Sequence, residues 1–337
     1  MIDWSKGMTS KYYGAVINPD TWKDDYKFDI ISGSIKHSED GLRESADIEC
    51  NNFDQTREYW VRIYMDVRQG SDSELIPLFT GLASIPDVSY NGRINTESVN
   101  CYSVLAPAES VLLPLGWYVS EGANGAETVK DLLTDVIPAP VIIDGVSPGL
   151  EYALIAESGE SHLSMAELIL YAINWRMRIE GDGTVILSPQ PVDSVATFDY
   201  AINDVIEMDV TVKKDWYAVP NVFRAVSESM MAVARDEDPD SIFSIQNRGR
   251  EIWMEETGVT LNDNEKIGEY ADRRLKEEQS LYLTTNYNRR FDPNVKVSDY
   301  VRINYPQQGL TGIFQITSQS MDLTYGCSVS EEAVAIY

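Results

Sequence analysis

Tyr59-Trp60-Val61-Arg62-Ile63-Tyr64-Met65 decides the fold class of this chain. Val61, Ile63 and Met65 recur at every second position among aromatic and polar neighbours, which is the period of a strand with one face buried. The same alternation appears in Phe28-Asp29-Ile30-Ile31-Ser32-Gly33-Ser34-Ile35 and in Ala46-Asp47-Ile48-Glu49-Cys50. Gln69-Gly70-Ser71-Asp72-Ser73 and Tyr90-Asn91-Gly92-Arg93 supply turns between strands, Asn-Gly because both residues tolerate positive φ. A strand around Thr96 to Tyr102 then returns across the sheet, so the first hundred residues read as a barrel or sandwich.

Beyond this block the period changes. Val129, Leu132, Leu133, Val136 and Ile137 form one helical stripe, with Asn124 and Glu127 at capping distance and Pro138 as the stop. A second helix is expected from Ser164, paired with Glu167, burying Leu168, Ile169, Ala172 and Ile173. A hairpin follows, Arg176 to Glu180 and Thr184 to Leu187 around Gly181-Asp182-Gly183, with Ser188-Pro189-Gln190-Pro191 as the exit linker. Residues 106–200 thus read as a small mixed α/β unit. Strands resume over Asp204 to Val212 and Tyr217 to Ser227, ahead of a solvated acidic loop, Arg235 to Asp240. A third helix is expected over Asn264 to Leu281, followed by strands at Val301 to Tyr305, Gly312 to Thr317 and Met321 to Tyr325.

The chain has 337 residues, 43% of them hydrophobic, which is enough for two or three compact units. Its start shows no secretory pattern, and no stretch has the roughly 18 apolar residues of a membrane span. Cys50, Cys101 and Cys327 are odd in number and widely spaced, the pattern of buried thiols in a reducing compartment. With 54 acidic against 27 basic residues the formal net charge is -27, which excludes a groove that grips nucleic acid by phosphate neutralisation. The same charge suits a wall that DNA slides past without adhering, and equally serves plain solubility.

The sequence yields no catalytic or metal-binding residues and no cofactor. His37 and His162 are the only histidines, far apart and without ligands at metal or triad spacing, and read as surface or turn residues. Adjacent carboxylates such as Glu331-Glu332 and Asp24-Asp25 arise by chance among 54 acids. Gly181-Asp182-Gly183 lacks the Lys-Ser/Thr of a phosphate loop, and Asp236 to Asp240 lacks the ligand spacing of an EF-hand. Trp4, Trp22, Trp60, Trp117, Trp175, Trp216 and Trp253 read as core or interface anchors rather than sugar platforms. Arg273-Arg274 and Arg289-Arg290 are expected to bridge to neighbouring subunits.

The order of elements resembles the phage tail-hub family, which includes contractile-tail baseplate hubs, late-control D proteins and hubs of bacteriocins and injection systems. The resemblance is carried by Phe79-Thr80-Gly81, by Cys101-Tyr102-Ser103 (serine standing for the family's aspartate), and by the helix start Gly125-Ala126-Glu127-Thr128-Val129. Ser244 to Glu251 ahead of Ala271-Asp272-Arg273-Arg274-Leu275 continues it, as do Val297 to Ile303, with Ser298 for a glycine, and Gly309 to Ile316. The resemblance implies a mainly β fold with an α/β insertion. Residues 1–105 would form an N-terminal tube-forming β-barrel, 106–200 the inserted α/β domain, and 201–337 a second β-barrel with a helical insertion around 245–285. It implies a structural, non-enzymatic homotrimer in the virion tail, made in the host cytoplasm without a membrane anchor. Its partners would be a distal tail or tail-tube protein, a central spike or fibre, and the tape-measure protein, with DNA only passing through. A carbohydrate-binding or fibre-adaptor module is the alternative, and a wall-degrading tail enzyme a more distant one.

Overall fold

The computed structural model describes every residue except 1, 40, 52, 54–56, 85–86, 92–93, 192–195, 201–205, 208, 215, 228–229, 260–265, 281–282, 309 and 337. The fold is mainly β. Its internal contacts divide it into two units: residues 1–192 with 288–297 and 318–331, and residues 193–287 with 298–317 and 332–337.

The first unit opens with β1 (Thr9–Asn18), β2 (Lys23–Ser38), β3 (Glu44–Asn51), β4 (Tyr59–Gln69), β5 (Asp72–Ala83), β6 (Asp87–Asn91) and β7 (Ile94–Ser103). Pairing runs β1-β4-β5-β7-β3-β2, and β1 pairs again with β2, Tyr13 opposite Asp29, so the strands close a ring. Register shifts at Val16/Ile17, between Ile30 and Ser32, and at Ile63/Tyr64 leave extra residues on one strand, and such bulges bend a sheet as closure requires. The alternation read in β4 is realised: Val61, Ile63, Met65 and Val67 are fully buried, with Ile35, Ile48, Phe79 and Val99 in the same core. Each such side chain contributes roughly 1.5–3 kcal/mol by leaving water. β1 carries the same pattern, with Ala15, Val16 and Ile17 buried, although the sequence reading began the strands only at Tyr26. β6 and β7 are antiparallel with Asn91 opposite Ile94; Gly92 and Arg93 of the expected Asn-Gly turn lie outside the described residues.

A second core belongs to the α/β part of this unit, made of α1 (Ala106–Ser110), β8 (Tyr118–Val119), α2 (Gly125–Thr134), β9 (Val141–Ile143), β10 (Leu154–Ile155), α3 (His162–Ala172), β11 (Trp175–Ile179) and β12 (Val185–Pro189). Asn124 caps α2 by accepting from the Glu127 amide at 3.1 Å, as its spacing indicates. The start of α3 is three residues earlier than expected. Ser161, not Ser164, is the cap: its hydroxyl accepts from the Ser164 amide at 3.0 Å while the Ser164 hydroxyl accepts from the Ser161 amide at 2.9 Å. A serine at the third position thus completes the capping box that the sequence reading sought in a glutamate. β11 and β12 form the predicted hairpin, Ile179 opposite Val185, and Ser188 and Pro189 belong to β12 rather than to a linker.

In the second unit the strands begin with β13 (Phe198–Asp199), β14 (Thr211–Lys214), β15 (Val222–Val226) and β16 (Met231–Arg235). They continue past the one-turn helix α4 (Ile245–Arg248) with β17 (Trp253–Thr257) and the helix α5 (Ile267–Ser280). Of the strand expected over 204–212, Ile206 makes a bridge and β14 begins at Thr211, while 204, 205 and 208 lie outside the described residues. β15 is central to a three-stranded sheet, antiparallel to β16 and parallel to β17. One face, Phe223, Ala225 and Ala234, packs on Tyr270, Ala271 and Leu275 of α5.

Four long strands complete the chain: β18 (Leu283–Arg290), β19 (Tyr300–Tyr305), β20 (Leu310–Asp322) and β21 (Ser328–Ile336). In the second unit β19 pairs with β20 and β14 with β18. In the first, Ser318 to Asp322 of β20 pair with Ser38 to Ser34 of β2, and Met321, Leu323, Cys327 and Val329 enter the core of the closed ring. The strand expected at Met321 to Tyr325 is instead the end of β20 and a turn, with Cys327 donating its amide to Thr324. The final strand is β21, which the sequence reading passed over.

Candidate assembly surfaces

The chemistry-bearing residues are spent on structure. His37 lies in β2, opposite Glu44 of β3 and largely enclosed, and His162 is buried at the start of α3; neither is the surface residue expected. The His37 Nδ1 stands 3.7 Å from a Glu44 carboxyl oxygen. Burial, and then the Lys296 charge, lower the His37 pKa to about 4. Burial pushes the Glu44 carboxyl well above the ordinary carboxylate range, against a weaker lowering pull from the Val104 backbone. The His162 Nδ1 instead donates to the Val111 carbonyl at 2.8 Å. Cys50, Cys101 and Cys327 are buried free thiols, each with its pKa raised chiefly by burial. Among the described residues no cluster of three or more His, Cys, Asp or Glu is placed to hold a metal, and no helix is long and apolar enough to cross a membrane.

Gly181-Asp182-Gly183 is a hairpin turn and also an anchor. Thr80 donates to the Gly181 carbonyl at 2.8 Å, while Arg62 and Trp22 donate to the Asp182 carbonyl at 2.8 and 3.0 Å. A side chain at Gly181 would begin 2.0 Å from the Pro77 carbonyl oxygen, which is why glycine stands there. The acidic loop is equally organised: Asp236 accepts from the Ser241 hydroxyl and from Gln279 at 2.9 Å. The arginine pairs expected to reach other subunits bond within the chain. Arg274 bridges Glu256, Glu277 and Glu278, Arg273 pairs with Glu277, Arg289 with Glu331, and Arg290 donates to the Ser5 carbonyl.

Exposed apolar and aromatic side chains occur along the chain, and two places group them with charge. Of the tryptophans only Trp216 and Trp253 count as exposed; Trp22 packs on Trp60, Trp4 on Phe291, and Trp117 and Trp175 lie in or against the α/β core. Trp253 lies between the guanidiniums of Arg224 and Arg235 on the outer face of the β16-β15-β17 sheet. Nearby in sequence, Arg248 donates to the carbonyls of Val219 and Tyr217, and Arg250 to that of Tyr217 while stacking on its ring at 4.9 Å. Neither Arg248 nor Arg250 has a carboxylate partner among the described residues. The Tyr217 ring is 78% exposed.

The other surface belongs to the α/β part of the first unit. Residues 111–119 and 154–162 run antiparallel in a single register, Leu112 opposite Ser161 and Tyr118 opposite Ile155, interrupted by the turn from Pro114 to Trp117. Leu113, Val119, Ala156 and His162 face the core. Leu112, Leu115, Tyr118 and Ile155 face water, Leu115 at 88% exposure and the facing pair Tyr118 and Ile155 at 67% each. From Leu105 to Asn174 the sequence carries ten Asp and Glu against one basic residue, Lys130. This region therefore offers apolar side chains in a strongly acidic setting. Sequence reading missed the ribbon because its strands are two residues long and broken by Pro114 and Gly116.

The chain combines a ring of paired strands, an α/β part following it, and C-terminal strands that belong to the first unit, and its fold matches known structures from end to end. The tail protein from Neisseria meningitidis MC58 superposes with a TM-score of 0.70 over 98% of this chain and 97% of its own, at 13% identity. The chain has the fold of phage tail proteins. This tail-protein fold recurs in the 43 kDa tail protein of prophage MuSo2 from Shewanella oneidensis, with a TM-score of 0.68 and 13% identity over 97% of this chain and 98% of that one. It recurs again in the E. coli c3393 protein, a component of the type VI secretion system structurally similar to the T4 bacteriophage tail proteins gp27 and gp5. There the TM-score is 0.53 and the identity 7%, over 92% of this chain and 74% of that one. No family model and no curated protein sequence matches the chain. At the level of fold, the tail-hub resemblance read from the sequence is borne out.

Proposed function

We propose that the chain is a structural hub of a phage-type tail or baseplate, a homotrimeric ring joining a sixfold tail tube to a threefold spike or fibre. The observation that carries this reading is the end-to-end match in fold to the Neisseria tail protein, over 98% of this chain and 97% of that one. In this reading residues 1–105 form one tube-lining β-barrel, 106–200 the inserted domain, and 201–337 a second barrel with its helical insertion around 245–285, lending 288–297 and 318–331 to the first unit. The closed pairing of β1-β4-β5-β7-β3-β2 is what the first barrel requires. Six barrels in a trimer match a hexameric tube, and closed symmetry leaves no growing edge. A distal tail or tube protein would bind one side and the spike the other, while tape-measure protein and DNA pass through the lumen. The net charge of -27 favours a bore that repels phosphate. The site would be the virion tail, after synthesis in the host cytoplasm.

Light scattering on the purified chain across a concentration range tests the reading. A mass three times that of the chain is the expected result. A monomer at every concentration that binds glycans on an array would replace the hub with a carbohydrate-binding tail-tip module.

A further inference from the structure

The two exposed places described above are complementary in charge and in character. The 111–119/154–162 ribbon presents Leu112, Leu115, Tyr118 and Ile155 beside Glu121 and Glu157, and neither glutamate has a cationic partner among the described residues. The Tyr217 cluster presents an exposed ring beside Arg248 and Arg250, two guanidiniums without carboxylates in a chain that holds twice as many acids as bases. Backbone carbonyls hold both guanidiniums in place, so little rotamer freedom is lost on docking. Arginine and tyrosine against an apolar patch is the composition of a subunit contact, and burying paired opposite charges selects its register.

We propose that the Tyr217, Arg248 and Arg250 cluster of one copy seats on the Tyr118–Ile155 face of the next copy, with the arginines against Glu121 and Glu157. Different patches on the two copies make this a head-to-tail contact, the kind that generates closed rings. The inference rests on the trimeric reading above and assigns two of its contact surfaces.

The test is charge exchange in the full-length chain, read by light scattering at near-physiological salt. Arg248→Glu with Arg250→Glu should weaken trimer formation at least tenfold, and so should Glu121→Arg with Glu157→Arg. All four substitutions in one chain should restore it, because the pairing is then inverted rather than removed. Arg250→Glu alone is the milder variant, since Arg248 also fastens the Val219 carbonyl, and it should weaken the trimer with thermal unfolding unchanged. If the unmodified chain is trimeric and either reversal leaves it so, this contact is wrong and the trimer stands. Loss in both reversals without restoration in the fourfold variant overturns the pairing. A chain monomeric at every concentration overturns the trimer and this contact together.

Discussion

Arg289 of β18 and Glu331 of β21 form an ion pair at 2.7 Å with side-chain exposures of 3% and 0%. The same Glu331 oxygen accepts from Gln319 at 2.7 Å, and Gln319 and Arg289 both donate to the Val295 carbonyl. Three sequence-distant segments of the first unit are thereby tied through one carboxylate. Two buried charges repay their desolvation only while both are present. Glu331→Ala should cost about 3–5 kcal/mol, whereas Arg289→Met with Glu331→Leu should be far milder. Urea denaturation of the two variants checks both statements.

His37 sets a pH dependence whose sign follows from its lowered pKa. The unfolded histidine takes up a proton near pH 6.5, the folded one only near 4, so stability contributed by the neutral ring is full above 6.5 and is lost as pH falls toward 4. The loss amounts to about 3 kcal/mol at most. Glu44 works in the opposite sense. Its raised folded pKa means that stability is lost as pH climbs above the ordinary carboxylate range, since the unfolded carboxyl ionises and the buried one resists. Melting curves from pH 4 to 8 should flatten at the acid end in His37→Gln and rise at the alkaline end in Glu44→Gln. A Glu44→Gln protein that melts lower at pH 8 would show the buried carboxyl to be a stabilising group after all.

Gly181→Ala introduces a carbon 2.0 Å from a backbone oxygen, with no flexible side chain to give way. The hairpin turn must shift, straining the hydrogen bonds from Thr80, Arg62 and Trp22, at a cost of about 1–3 kcal/mol. Gly159→Ala is the contrast: it meets nothing within 4 Å, so its penalty is only that of the positive φ. Thermal unfolding of the pair separates crowding from backbone strain.

Ser161→Ala removes the hydroxyl that caps α3 and should cost about 1 kcal/mol, while Glu167→Ala, expected from the sequence to close the box, should leave the cap intact. Circular dichroism melts distinguish the two assignments.

The sequence made the strands of the ring and the stripe of α2 legible because burial on one face writes a period that survives in the residues themselves. Val61, Ile63 and Met65 need no knowledge of what covers them. It left β21 unread because Glu331 and Glu332 sit inside it, and a carboxylate in a strand core signals a loop unless its buried arginine is known. The enclosure of His37 was hidden for the same reason: its covering comes from β3 and β20, one close in sequence and one almost three hundred residues away. The ribbon face was invisible because exposed leucines and tyrosines in short segments look like any poorly patterned loop.

The return of residues 288–297 and 318–331 to the first unit has a consequence for biosynthesis. A ribosome that has released the first 192 residues has made β1 to β7, yet Phe291, Met321, Leu323, Cys327 and Val329 of the same core are not yet available. That core stays open while more than a hundred further residues are translated, an interval of roughly 5–30 s at bacterial rates. Chains cut short by premature termination before Ser318 would display an unsealed apolar surface, the mark by which chaperones and proteases recognise unfinished protein.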